Sequence, residues 1–116
     1  MPSSDPAQRF NDIIENIRRI ESHVAGITAG QFRGDALRID ATERCLARIS
    51  EAATKLGDAA TQYAPEIPWR SIRGIGNILR HEYAVVDVSR IWRLIEKDLP
   101  PLKAACERAL SKLKSK

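Results

Sequence analysis

A chain of 116 residues reads as one domain spanning 1–116, long enough for a hydrophobic core and short enough to gain from association with a second copy. Hydrophobic residues make up 43% and charged residues 29%, which excludes disorder, and no run approaches the ~20 apolar residues of a membrane span. The net charge of +4 is uneven: residues 1–58 hold 8 Lys and Arg against 9 Asp and Glu, and residues 59–116 hold 11 against 6. A polyanion is therefore expected to meet the second half, where Arg70, Arg73, Arg80 and His81 lie close in sequence.

The elements follow in order. Asp5 and Pro6 form an N-cap and first helical position, and Phe10, Ile13, Ile14, Ile17, Ile20 and Val24 mark one apolar helical face. Gly26 ends that helix, and the glycine-rich stretch through Gly34 reads as a turn. A second helix is expected from about Asp35 to Leu56, with Leu37, Cys45, Leu46, Ile49, Ala52, Ala53 and Leu56 inward and Gly57 at its C-terminal end. Residues 58–67 form a connector with room for one helical turn, broken by Pro65. Pro68 opens a third helix with the stripe Trp69, Ile72, Ile75 and Leu79, ending near Tyr83. Asp87 caps a fourth helix, which Pro100 and Pro101 stop while opening a fifth. The sequence thus predicts an all-α bundle of four to five helices.

Most catalytic patterns are absent. The chain has no phosphate-cradling glycine loop, no His-Glu-x-x-His and no Cys-x-x-Cys, so neither a metal nor a cofactor is expected. Cys45 and Cys106 sit on apolar faces and read as buried, inert thiols. His23 falls in the last turn of the first helix, where a cation suits the dipole. The opening Met-Pro-Ser-Ser-Asp-Pro does not read as a secretory signal, and a cytoplasmic protein with no membrane partner is expected.

The third helix stands apart. Arg73, Asn77, Arg80 and His81 fall at i, i+4, i+7 and i+8, a single polar stripe opposite Ile72, Ile75 and Leu79. Guanidiniums hold a phosphodiester and a histidine titrating near neutrality moves protons, so the stripe suits phosphodiester chemistry without a metal when a ribose 2′-hydroxyl is the nucleophile. The same spacing also describes a helix face that merely meets solvent.

These residues carry a family resemblance along nearly the whole chain. Asp12-Ile13-Ile14-Glu15, Ile49-Ser50-Glu51-Ala52-Ala53, Pro65-Glu66-Ile67-Pro68-Trp69, the run Asn77 to Tyr83, and Asp98-Leu99-Pro100-Pro101-Leu102 resemble the HepT-like ribonucleases of the HEPN superfamily. Those are the toxin halves of HepT–MntA toxin–antitoxin pairs. The resemblance implies a homodimer with a shared cleft, RNA as substrate, and a nucleotidyltransferase antitoxin as partner. It implies His81 as general acid and base, Asn77 as the polar residue of the motif with an orienting part, and Tyr83 as the tyrosine that receives AMP; Arg80 and Arg73 are the nearest substitutes for the motif's phosphate-holding arginine, and neither stands at its position. The family motif is Arg-x4-His-x-Tyr, and Gly76 stands where its arginine belongs. That departure supports an alternative, a non-catalytic dimer that binds RNA, nucleotide or the partner enzyme. Gly74 and Gly76 in one turn point to close backbone approach.

Overall fold

The computed structural model describes residues 5–81 and 87–115, and at Ile78, Arg80 and His81 it describes the backbone alone. All regular structure among them is helical: α1 Pro6–Val24, α2 Ala29–Arg33, α3 Ala36–Leu56, α4 Asp58–Tyr63, α5 Trp69–His81, α6 Val88–Arg93, a π turn Leu94–Asp98, and α7 Leu99–Lys114. The two long helices α1 and α3 pack together, α7 lies on α1, and α5 lies on α3. Their shared core holds Phe10, Ile13, Ile17, Ile20, Leu46, Ile49, Leu56, Ile75, Leu99 and Leu102, all essentially without solvent contact.

Local chemistry sets the helix starts. Asp5 accepts from the Gln8 amide at 3.1 Å with Pro6 in the first turn. Asp35 accepts from the Arg38 amide at 3.1 Å, and Asp87 from the Arg90 amide at 3.2 Å. Each carboxylate satisfies an otherwise orphaned amide donor at the positive end of a helix. The amide and guanidinium of Arg38 hold the Asp35 carboxyl below the ordinary carboxylate range. Arg38 also donates to the His23 carbonyl at 2.8 Å, which ties the start of α3 to the end of α1.

Three expectations change. The stretch 26–34 contains a helix, because Thr28 and Gln31 form a reciprocal capping box around the short α2. Phe32 of that helix is fully buried, its ring 5.1 Å from that of Trp92. Leu37 does not face inward; it is 81% exposed. It lies five residues before Thr42, about 140° round the helix, and Thr42 takes the inward position instead. Pro100 and Pro101 do not break the chain into separate fourth and fifth helices. The backbone stays right-handed helical at Leu94, Asp98 and Leu99, and the Leu99 amide reaches back five residues to the Leu94 carbonyl. Proline rings crowd the carbonyl four residues earlier, and the widened turn gives them room.

The connector before α5 is well anchored. Trp69 donates from its indole nitrogen to the Ala64 carbonyl at 2.8 Å, and Phe10 stacks edge-on against both Trp69 and Tyr63. Glu66 meets Arg108 of α7 at 2.7 Å, and this hydrogen bond holds its carboxyl below its usual range. No helix among the described residues is long and apolar enough to cross a membrane.

Both cysteines are free and buried. Burial pushes the Cys45 thiol up and the Cys106 thiol up to about 12. The thiolate is the reactive form, so Cys106 in the native protein is expected to resist an aromatic disulfide reagent at mildly alkaline pH. Release of the reagent's chromophore on addition of denaturant should report both thiols together, whereas fast native reaction at Cys106 would contradict its burial.

Candidate functional site

Helix α5 carries the polar stripe and presents three faces. Trp69, Ile72 and Ile75 point into the core. Ser71 and Ile75 border a groove toward α6, and Arg70, Arg73, Gly74 and Asn77 border a larger one toward α3. Helical register puts positions 70, 74, 77 and 81 within about 60° of one another, so the described backbone carries position 81 onto the same stripe. The side chains of Arg80 and His81, and Tyr83 as a whole, lie outside the described residues.

Two polar clips fix α5 to α3. Ser50, only 6% exposed, donates from its hydroxyl to the Arg73 carbonyl at 2.7 Å and accepts from the Gly76 amide at 3.0 Å. Arg73 returns the contact, donating from Nε to the Ala53 carbonyl at 3.1 Å and from Nη2 to the Gly57 carbonyl at 3.0 Å. These are carbonyls of the last turn of α3, the negative end of its dipole, which a guanidinium satisfies and neutralises. Gly57 permits that ending with φ of 55°, in the left-handed region that favours glycine.

The clips say what each predicted residue does. Arg73 has two donor groups committed to α3, eight residues and about 12 Å of helix from His81. Asn77 is exposed, on the stripe between Gly74 and position 81. Gly76 is buried beneath α3, its amide held by Ser50. At Gly74 an added Cβ would meet nothing within 4 Å.

The groove between α3 and α5 encloses about 870 Å³, and α3 contributes Ser50, Glu51, Thr54 and Lys55 to it. Lys55 pairs with Glu51 at 3.2 Å. Neither Arg70 nor Arg73 forms an ion pair with a carboxylate among the described residues. Sequence reasoning did not single out Ser50, Thr54 or Lys55 for this site, because nothing local distinguishes them from other polar positions on a long helix. No group of His, Cys, Asp and Glu among the described residues could hold a metal ion.

The fold is an all-helical bundle in which a cationic, amide-bearing helix runs along an open groove. Comparison with known proteins gives its family. The model of the family described as Ribonuclease HepT-like matches residues 13–109, and the chain belongs to that family. It is 34% identical over 99 residues to the Probable ribonuclease HepT of Thermococcus cleftensis, covering 85% of this chain and 90% of that one. It is 27% identical over 107 residues to the Putative RNase MJ1380 of Methanocaldococcus jannaschii, covering 92% and 98%. It is 29% identical over 109 residues to the Putative RNase TTE0752 of Caldanaerobacter subterraneus, covering 94% and 97%. No solved structure gives a significant match.

The clips should be measurable as stability. Ser50→Ala and Arg73→Met are each expected to cost about 1–2 kcal/mol in urea unfolding, as buried backbone partners lose a hydrogen bond. Both act on one helix pair, so the double variant should depart from additivity by about 0.5 kcal/mol or more. Strict additivity would mean that the two contacts are independent.

Proposed function

We propose that this chain is a metal-independent endoribonuclease that works as a homodimer, with α5 of each copy facing a shared cleft. The observation that carries the reading is the family match over residues 13–109, which takes in the whole of α5 and its stripe. His81 acts as general acid and base, taking the proton of the ribose 2′-hydroxyl and returning one to the leaving oxygen, two steps an imidazole can serve in turn. Arg80 holds the scissile phosphate, and Asn77 orients it. Arg73, committed to the end of α3, adds positive potential without being free to follow the phosphate. In the cell the protein is the toxin of a toxin–antitoxin pair in the cytoplasm. An MntA-like nucleotidyltransferase silences it by moving AMP onto Tyr83, adding a bulky anion two residues from His81.

A second reading has its own support. Gly76 occupies the motif arginine's position and is packed against Ser50, so no guanidinium reaches the cleft from there. On that reading the dimer binds RNA, nucleotide or its partner enzyme without cutting.

RNA incubated with the protein in EDTA separates the two. Cleavage by the wild type that is lost in His81→Ala supports the ribonuclease; cleavage that survives the substitution removes His81 from the mechanism. Salt-sensitive binding with no cleavage product under any metal condition supports the binding module. Intact mass after co-expression with a cognate nucleotidyltransferase tests Tyr83. Added AMP that disappears in Tyr83→Phe is the expected result, and an unshifted mass or a shift that persists in Tyr83→Phe overturns that assignment.

A further inference from the structure

Two of the grooves bordering helix α5 carry an excess of positive charge among the described residues, and they differ in size. The one toward α3 encloses about 870 Å³ and is bordered, among the described residues, by Lys55, Arg70 and Arg73 against one carboxylate, Glu51. The one toward α6 encloses about 260 Å³ and sets Arg90 and Arg93 against Asp98. Of these two the α3-side groove is the roomier, and its described lining carries a net charge of +2, against +1 on the other side. Gly74 opens it further, since the space where a side chain would stand is empty. From Arg70 to Asn77 it follows α5 for about 10 Å, and position 81 lies about 6 Å beyond on the same stripe.

We propose that this trough is the track along which a single strand of RNA approaches position 81, an inference that rests on the ribonuclease reading and adds the strand's route to it. The lining decides what the track recognises. Its residues among those described include no aromatic side chain on which a base could stack. Recognition there runs through the phosphates, held by Arg70 and by the positive potential of Lys55 and Arg73. Ser50 and Thr54 border the opposite bank, on α3. Gly74 lets the sugar-phosphate backbone come close to the helix. Binding on this track is therefore indifferent to sequence and sensitive to salt. The α6-side groove carries no strand.

The test is binding of a fluorescein-labelled oligouridylate of about twelve nucleotides, followed by anisotropy across a salt series with His81→Ala as the parent to prevent cleavage. A net charge of +2 along the track neutralises about two phosphates of a single strand and gives a slope of log affinity on log salt of about −1.4. Arg70→Ala should flatten that slope by about 0.7, one phosphate's share. Gly74→Leu should weaken binding roughly tenfold or more at low salt by filling the trough. Arg90→Ala with Arg93→Ala should leave both affinity and slope unchanged. Should Gly74→Leu fail to fold, Arg70→Glu at an exposed position carries the same expectation of weakened binding. A loss confined to the Arg90 and Arg93 variants would overturn the track and move the strand to the other flank. Unchanged binding in both Arg70→Ala and Gly74→Leu would also overturn it, while leaving the ribonuclease reading in place. No binding by the parent at low salt would defeat the ribonuclease reading itself. Sedimentation of Gly74→Leu without RNA gives the remaining outcome: a changed assembly state would make the trough an interface between copies, which excludes it as a track.

Discussion

The reciprocal clip between α3 and α5 determines how the polar stripe of α5 sits against α3. Ser50 inserts its hydroxyl between the Arg73 carbonyl and the Gly76 amide, while Arg73 covers the carbonyls of Ala53 and Gly57. Each helix supplies the polar group that completes the other's backbone. Sliding α5 by one residue would separate four hydrogen-bonded groups at once, and leaving them unmade in a part-buried setting costs far more than the net value of each bond. The axial and rotational position of the stripe relative to α3 is therefore fixed by polar contacts. The apolar core beneath tolerates small shifts more readily.

This arrangement explains how one residue type in one pattern serves two ends. By spacing, Arg73 is indistinguishable from a phosphate holder. Its actual partners lie 16 and 20 residues earlier in the chain, and they come within reach only after α4 and the connector turn the chain back. The motif helix thus spends one cation on its own fold. The positive potential of the groove survives, because a guanidinium bound to carbonyls keeps its charge.

Helix positions were largely legible because their signals are local. Asp5, Asp35 and Asp87 announce helix starts, and the periodic isoleucines of α1 and α5 name the buried faces. The family itself was legible in short strings spread along the chain, and the match over residues 13–109 agrees with them. What was illegible depended on tertiary partners or on competing local rules. Three glycines between 26 and 34 outweighed a capping box, hiding α2 and the burial of Phe32. Leucine at position 37 promised burial that helical register denied. A proline pair promised a break that a single wide turn avoids. The groove along α5 could not be foreseen, since its other bank belongs to α3.

That wide turn also limits how the chain can change over time. Leu94–Asp98 absorbs one extra residue per turn just before Pro100 and Pro101, and the face of α7 bearing Leu102, Ala105, Cys106 and Ala109 is aimed at α1 by that offset. Adding or deleting one residue there would rotate α7 by about 100° and turn those side chains away from the core. Restoring regular α geometry would remove the room the prolines occupy. Length variation during descent should therefore be purged from 94–101. In this chain the turn acts as a fixed spacer, its length held by the helix that follows.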